Sequence, residues 1–298
     1  MEETAEMYRI PDEKKIRVIV DTDAACEADD PFAIAHALMS PKLIVRGITA
    51  EHFAEEGSTK KSLHEIETIL EAMDLSVPVF MGQEGPVGSS EETSPAVDFI
   101  IEEALKDDGK PLFVLCQGAI TNVAVAIRKC PAIKEKMTVI WIGTHGAGNV
   151  KAPFREFNAG NDIGAANEVL QSGVNLWLVP SDVYSTVSVG ISELELKVTP
   201  CGKIGKHLFE NLIAYNLSEK AGWTQGESWS LGDSPAIALA INPSCGSYME
   251  TQAPLITADT GSVQKEDNPI IRVYKSVDSR YILEDFFAKL RLNYGSAH

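Results

Sequence analysis

Short apolar runs that each end in a polar turn recur along the chain. Continuous apolar or β-branched runs of this kind predict buried strands at residues 16–20, 43–49, 112–116, 137–142 and 175–179. Segments with apolar residues at helical spacing separate them, as at residues 58–73, where Leu63, Ile66 and Leu70 recur. This alternation predicts an α/β fold: a Rossmann-like open, mostly parallel sheet with helices on both faces.

The same pattern predicts the remaining elements. A short strand is expected at residues 77–80, and helices are expected at residues 32–39, 96–105, 123–128 and 161–170. From residue 192 to residue 229 the pattern loosens into a mostly helical insertion near the C-terminal end. After a helix at 231–241, the chain should close with an edge strand at 270–274 and a helix at 281–290. No boundary rich in Pro, Gly or Ser divides the sequence, which predicts a single domain over residues 1–298.

Four aspartates meet at the first strand-to-helix turn, where Asp21 and Asp23 end the strand and Asp29 and Asp30 open the helix. Ligands of open α/β sheets bind at the carboxyl ends of the strands, and crowded carboxylates need a cation or shared protons. Oxygen-only ligands favour Ca²⁺ or Mg²⁺ over zinc, so the stretch predicts a hard-metal site. A fifth carboxylate, Asp233, opens the helix at 231–241. Helix capping is the alternative for Asp29, Asp30 and Asp233, but it does not explain the pair that ends the strand.

Composition limits the classes of partner. Lys and Arg number 26 against 43 Asp and Glu, which gives a net charge of −17. That charge disfavours nucleic acid and an anionic membrane surface, so we expect a small-molecule ligand. The five cysteines lack CxxC spacing, which argues against a disulfide framework and a zinc cluster. The sequence shows no signal-peptide pattern and no membrane span, so a cytoplasmic protein is expected. The sequence is also compatible with a homo-oligomer.

Further motifs follow the acidic turn in a fixed order. Residues 118–122 read Gly-Ala-Ile-Thr-Asn, and Gly148-Asn149, Glu156-Phe157-Asn158 and Asn161-Asp162 come later, before Asp233 and Pro235. Together they resemble the nucleoside hydrolase family, the inosine-uridine-preferring N-ribohydrolases, over residues 16–241. That family has Asp-x-Asp-x-Gly-x-Asp-Asp after its first strand and a Gly-x-Leu-Thr-Asn turn. Here two extra residues separate the aspartate pairs, and the glycine of the first motif is missing. Several motifs in register are more specific than any one alone.

The resemblance implies a Ca²⁺-dependent hydrolase that cleaves the N-glycosidic bond of ribonucleosides to ribose and free base, through an oxocarbenium-like transition state. The implied metal ligands are Asp23, Asp30, Asp233 and the backbone carbonyl of Thr121, with Asp21 orienting the cluster. The ribose 2′- and 3′-hydroxyls and one water would complete the coordination. Asp23 would be the catalytic base, because a carboxylate beside the ion can accept a proton from that water. The implied contacts to the sugar hydroxyls come from Asp29, Asn149, Glu156 and Asn158.

From the residues alone, several of these assignments have ordinary alternatives. Glu156 and Asn158 fit the polar edge of a loop, Gly148-Asn149 is a common turn pair, and Thr121 fits a helix cap. Capping by the Thr121 side chain is compatible with metal binding through its carbonyl.

Two departures from the family concern the leaving group. Familiar members carry an Asn in Thr-Thr-Val-x-Gly-Asn, where this chain has Thr49-Ala50-Glu51-His52-Phe53-Ala54. They often carry a His just before the C-terminal Asp, which is assigned to protonating the leaving base, and this chain has Gly232 there. The candidates to surround the leaving group are therefore Glu51, His52, His145, Tyr184, Trp223, Glu227 and Trp229. We expect Trp223 or Trp229 to stack on the base, which would favour purines.

Two other functions compete at this stage. Asp-x-Asp after a strand also opens phosphatases of the haloacid dehalogenase type, although Ala25 stands where that motif has Thr or Val. A sugar- or metal-binding protein could keep the same pocket without turnover, because the expected acid is missing.

Overall fold

A computed structural model describes residues 8–53, 55–88 and 93–295. Its strands are β1 (Ile16–Thr22), β2 (Leu43–Ala50), β3 (Val79–Phe80), β4 (Leu112–Cys116), β5 (Met137–Ile142), β6 (Asn175–Val179), β7 (Ser188–Gly190), β8 (Ser228–Ser230), β9 (Gly246–Gln252), β10 (Leu255–Ile256), β11 (Ser262–Val263) and β12 (Ile270–Val277). Its helices are α1 (Asp30–Leu38), α2 (Ser58–Met73), α3 (Pro95–Leu105), α4 (Thr121–Lys129), α5 (Phe157–Asn161), α6 (Ile163–Ser172), α7 (Ser181–Tyr184), α8 (Ile191–Lys197), α9 (Gly202–Asn216), α10 (Ser234–Ile241) and α11 (Ser279–Tyr294).

The central sheet has eight strands in the order β3-β2-β1-β4-β5-β6-β12-β9. Neighbouring strands pair in parallel except β9, which runs antiparallel to β12. Two small antiparallel pairs, β7 with β8 and β10 with β11, lie outside it. The predicted open, mostly parallel sheet is confirmed, and the insertion near the C-terminal end carries α8 and α9 as expected.

Helices cover both faces of this sheet, and the apolar strands contribute side chains to the hydrophobic core on each face. In β1, Val18 and Val20 pack in one hydrophobic core, while Ile19, between them, packs in the other. Successive side chains of a strand point to opposite faces, so a strand buried on both faces must be apolar throughout. The first core contains α1, α2, α9, α10 and α11, and the second contains α3, α4 and α6.

The prediction of an edge strand at residues 270–274 is wrong. β12 lies inside the sheet, because β9 pairs along its far side from Gly246 to Gln252. Most residues of β9 are exposed, and their polar sequence gave no strand signal. The helix expected at 161–170 is also interrupted: Asp162 leaves helical geometry and accepts a hydrogen bond from Ala165 N, which caps α6. Within the described residues, no helix is long and apolar enough to cross a membrane.

The stability of the fold should depend on residues that α2 buries against the sheet. Ile66 is fully buried in the first core, and its neighbour Glu67 is exposed. We predict that Ile66→Ala lowers the free energy of unfolding by about 2–5 kcal/mol, because truncation leaves a cavity. Glu67→Ala, on the same helix, should change it by less than about 0.5 kcal/mol. Urea titration measures both, and equal effects would contradict this description of the core.

Candidate active site

The carboxyl ends of the central strands form one edge of the sheet, and the predicted site residues gather there. β1 delivers Asp23, β4 delivers Gln117 directly after Cys116, and the start of α10 delivers Asp233. They border a pocket with about 420 Å³ of empty space, part of which is open to solvent. Its lining residues are Asp23, Cys26, Glu27, Asp29, Asp30, Gln117, Ile142, Glu156, Phe157, Asn158, Tyr184, Gly232 and Asp233.

The acidic turn between β1 and α1 supplies most of the charge. Cys26 N donates to Asp23 O at 2.7 Å, which closes the turn, and the Thr22 hydroxyl donates to the Asp30 carboxylate. Oxygens of Asp29, Asp30 and Asp233 all lie within 4.8 Å of one another. Three carboxylates therefore converge from two separate helix starts.

These carboxyl groups raise one another's pKa values. Burial, followed by repulsion from Asp30, raises the pKa of Asp23 well above its usual range. Burial and the neighbouring carboxylates do the same for Asp29 and Asp233. Burial raises the pKa of Asp30 to about 6 and that of Glu27 to about 7. Such a cluster holds its full negative charge only when a cation compensates it.

A second layer of polar residues lies behind the pocket. Asp21 is buried, and its Oδ1 accepts from Thr49 Oγ1 at 2.5 Å and from Asn122 Nδ2 at 2.9 Å. Glu51 is buried between this layer and Asp23. A Cβ atom on Gly118 would lie 2.5 Å from Glu51 Oε2 and 2.8 Å from Asp23 Oδ1. Only glycine fits there, which explains the first residue of the turn at 118–122.

The opposite wall is built by the start of α5. Glu156 caps this helix by accepting from Ala159 N at 2.8 Å, and its Oε1 also accepts from the Tyr184 hydroxyl at 3.0 Å. Asn158 uses its amide nitrogen to donate to the carbonyls of Gln117 and Ile142, at 2.7 and 2.9 Å. Both predicted sugar contacts therefore line the pocket, and their hydrogen bonds fix their orientation.

Some predicted site residues lie elsewhere. Asn149 is exposed, and its Oδ1 accepts from Gln264 N at 3.0 Å, outside the pocket lining. Trp229 is 5% exposed and packs against Tyr215, so its ring is part of the core. Trp223 is 59% exposed and contacts the same tyrosine. The structure does not bring either tryptophan to the pocket, so the expected stacking on a base is corrected.

The histidines near the site have other partners. His52 is hydrogen-bonded at 2.8 Å to Thr121 Oγ1, which donates to Asp162, and burial lowers the pKa of His52. His145 is hydrogen-bonded to Ser181 and to the carbonyl of Phe154. Neither histidine is a lining residue, and the same holds for Glu51, Thr121 and Glu227. Of the leaving-group candidates, Tyr184 alone lines the pocket.

The structure adds lining residues to which the sequence gave no role, and Ile142, the last residue of β5, is one of them. Cys26 and Glu27 belong to the turn with the two extra residues, Gln117 directly follows a strand, and Phe157 lies inside a family motif. Gln117 could have been predicted as a site residue, because it directly follows a predicted strand. Glu27 could have been predicted too, because it belongs to the acidic turn with two extra residues, and loops at a ligand-binding edge of a sheet often carry binding residues.

The residues present fit a hard divalent cation. The donors are carboxylate oxygens, and Asp23 Oδ2 is buried without a hydrogen-bond partner in the described structure. Burial raises the pKa of the Cys26 thiol well above its usual range, which disfavours thiolate ligation. The donor set consists of oxygen ligands, which Ca²⁺ and Mg²⁺ prefer.

Comparison with known proteins agrees with this site. The profile of the family described as inosine-uridine preferring nucleoside hydrolase matches residues 18–284. The pyrimidine-specific ribonucleoside hydrolase RihB of Escherichia coli strain K12 is 26% identical over 280 residues, which cover 84% of this chain and 85% of that protein.

Solved structures share the fold. The plant nucleoside hydrolase PpNRh1 is similar with a TM-score of 0.77 and 21% identity, over 92% of this chain and 98% of that one. The purine-preferring ribonucleoside hydrolase from Gardnerella vaginalis is similar with a TM-score of 0.79 and 21% identity, over 93% of this chain and 99% of that one. With the family profile spanning most of the sequence and several of its motifs meeting at one acidic pocket, the chain belongs to the inosine-uridine-preferring nucleoside hydrolase family, the N-glycosyl hydrolases of ribonucleosides.

Proposed function

We propose that this protein is a Ca²⁺-dependent ribonucleoside hydrolase whose active site is the acidic pocket. The observation that carries the proposal is the convergence of Asp29, Asp30 and Asp233 within 4.8 Å. Asp23 and Glu156 line the same pocket, so the carboxylates for metal and for sugar would face one bound substrate.

The family resemblance implies that Asp23, Asp30, Asp233 and the backbone carbonyl of Thr121 would hold the ion. Asp30 and Asp233 belong to the observed carboxylate cluster and Asp23 lines the same pocket, whereas Thr121 is not a lining residue. Ca²⁺ is preferred because it accepts many oxygen ligands in flexible geometry. When bound, it supplies Lewis acidity toward an oxygen ligand and neutralises the cluster. Asp21 stays behind the site, where Thr49 and Asn122 hold it.

Asp23 would accept the proton of the attacking water. Its Oδ2 is buried and has no partner within the described residues, so it is free to act as a base. Cleavage of the N-glycosidic bond develops positive charge on the ribosyl ring. Six lining carboxyl groups surround that position and would stabilise the charge electrostatically.

Three residues would bind the sugar. Asn158 has both amide hydrogens committed to carbonyls, which leaves its Oδ1 to accept from a hydroxyl. Glu156 Oε2 accepts one backbone N–H and can accept a second hydrogen from the sugar. Asp29, which also lines the pocket, would accept from another hydroxyl. Asn149 is not part of this proposal, because its side chain is bound elsewhere.

Among the described residues, the pocket lining lacks a cationic side chain that could protonate the leaving base. The described lining residues include no His, Lys or Arg, and the Tyr184 hydroxyl already donates to Glu156. Phe157 is 43% exposed and supplies the aromatic ring next to the pocket that can pack against a base. Departure of the base would therefore depend on the acidity of the base itself.

The metal assignment predicts that a chelator abolishes turnover and that Ca²⁺ restores it. Native protein should contain one Ca²⁺ per chain by elemental analysis, because the oxygen donor set converges at a single position. Mg²⁺ and Zn²⁺ added to chelated protein are the controls. Restoration by Zn²⁺ alone, or full turnover in the chelator, would contradict the site as described.

Ion-free protein should lose stability as the pH rises. The pKa of Glu27 is raised from 4.5 to about 7, and that of Asp30 from 3.8 to about 6. A raised carboxyl pKa means that the folded state holds the proton more tightly. The contribution of such a group to stability is present below its pKa in the unfolded state. It is lost as the pH rises through its pKa in the folded state. We predict that Tm in chelator falls between about pH 4.5 and pH 7, and falls less with saturating Ca²⁺.

Glu27→Gln removes one of these groups and should flatten the pH dependence in chelator. Differential scanning calorimetry across the pH range measures it. A Tm that rises with pH in the absence of Ca²⁺ would contradict the described electrostatics.

Asp23→Asn should lower kcat by about 10³-fold or more, because it removes the base and keeps an oxygen ligand. Glu156→Gln should chiefly raise KM, since it keeps the helix cap and loses one charged contact to the sugar. Steady-state kinetics on inosine and uridine separate the two effects, and Ca²⁺ titration checks that the metal still binds. Near-native kcat in Asp23→Asn would remove Asp23 from the mechanism.

The leaving-group prediction follows from the absence of a cationic side chain among the described lining residues. p-Nitrophenyl riboside, whose leaving group needs no protonation, should be cleaved much faster than uridine. Tyr184→Phe should reduce the rate on both substrates by a similar factor, because the hydroxyl acts through Glu156. A selective loss on uridine would instead make Tyr184 the acid. Binding of both compounds without turnover would favour a sugar-binding protein.

A further inference from the structure

Gln117 is a polar side chain that the fold buries without a partner. It is 1% exposed, and neither its Nε2 nor its Oε1 has a hydrogen-bond partner within residues 8–53, 55–88 and 93–295. Unpaired buried polar groups cost free energy, and native proteins keep few of them. Because Gln117 lines the acidic pocket, the missing partners can come from a ligand.

The backbone of Gln117 is held on both sides. Its N–H donates to Asp21 O at 2.8 Å, and its carbonyl accepts from Asn158 Nδ2 at 2.7 Å. The first bond ties it to β1 and the second ties it to the wall that carries Glu156. The residue therefore cannot move away from the pocket without breaking contacts on either side.

The pocket is short of hydrogen-bond donors. Its carboxylates only accept when ionised, the Asn158 amide is committed to two carbonyls, and the Tyr184 hydroxyl donates to Glu156. Among the lining side chains of the described residues, Gln117 Nε2 is the nitrogen donor that no protein acceptor uses. A sugar hydroxyl needs both kinds of partner, since it donates one hydrogen and accepts at its oxygen.

We propose that Gln117 binds the 5′-hydroxyl of the ribose, donating from Nε2 to the hydroxyl oxygen. This assignment rests on the proposed function, because a ribosyl group must occupy the pocket. The 2′- and 3′-hydroxyls are expected at the ion, which takes up their oxygen lone pairs, so the 5′-hydroxyl is the one that needs a donor. Asn149, the other candidate amide, lies outside the pocket, and Gln117 provides the same functional group inside it.

The test uses methyl β-D-ribofuranoside, whose methoxide is too poor a leaving group to depart during the measurement. Gln117→Met keeps the length of the side chain and removes both polar atoms. In Ca²⁺-loaded protein, calorimetric titration should show a roughly tenfold weaker Kd for the variant, which is about 1.4 kcal/mol. With the 5-deoxy analogue the two proteins should bind equally, whereas the 2-deoxy analogue should retain the difference.

Stability separates this role from a structural one. Gln117→Met should keep or raise Tm without ligand, because it replaces unpaired polar atoms with apolar ones of similar shape. Gln117→Glu keeps an acceptor but lacks the donor, so it should bind the riboside no better than Gln117→Met. Gln171→Met, at an exposed position of α6, is the matched control and should leave Kd unchanged.

Equal Kd values for native protein and Gln117→Met would overturn the proposal, as would a tenfold difference that persists with the 5-deoxy analogue. A lower Tm with uniform loss of binding to all three ribosides would assign Gln117 a structural role and also overturn it. If native protein neither binds the riboside nor cleaves a ribonucleoside, the proposed function fails first. If the native protein cleaves ribonucleosides and Gln117→Met binds the riboside as tightly as the native protein does, only the assignment of Gln117 is wrong.

Discussion

Repulsion between buried carboxyl groups is the constraint on which this site depends. Six such groups line one pocket, and burial together with their neighbours raises the pKa values of Asp23, Asp29 and Asp233 well above the usual range. No Lys or Arg is present among the described lining residues to compensate them. The cluster can be relieved by protons, by a bound cation, or by positive charge on a substrate. In the proposed function, a bound metal ion and a ribosyl cation would each relieve this repulsion.

That repulsion is useful only if the carboxylates cannot move apart, and the surrounding strands prevent it. Asn122 illustrates this, because it donates to Asp21 and to the carbonyl of Ala50 while its Oδ1 accepts from Gln83 N. Ile120, two residues earlier, has a φ of 62°. A left-handed conformation in a β-branched residue costs about 1–3 kcal/mol and persists only where neighbours impose it. The turn at 118–122 is thus held in a strained shape beside the site.

Much of the site was predictable because strand ends are predictable. A continuous apolar run fixes where a strand stops, and parallel strands stop at the same edge, so Asp23 and Asp30 could be placed at that edge without coordinates. Asp233 opens a helix, and the family resemblance joined it to them. The side chains that were misplaced are those whose direction depends on tertiary packing. Trp229 is an ordinary core residue of the β7–β8 pair, and nothing in its local sequence tells which way its ring points. Asn149 lies in a glycine-containing loop whose path is set by β11.

The leaving-group side differs from familiar members through two linked changes. A Cβ atom on Gly232 would lie 3.1 Å from the Tyr184 ring and 3.2 Å from Asp29 Oδ2, so a histidine before Asp233 would require these neighbours to shift by a few tenths of an ångström. Meanwhile the lengthened turn after Asp23 brings Cys26 and Glu27 into the lining. Compared with family members that carry this histidine, the pocket thus lacks a residue that could be positively charged before Asp233. It gains one carboxyl group, that of Glu27. In the proposed function, catalysis would accordingly depend more on stabilising the ribosyl cation and less on protonating the departing base.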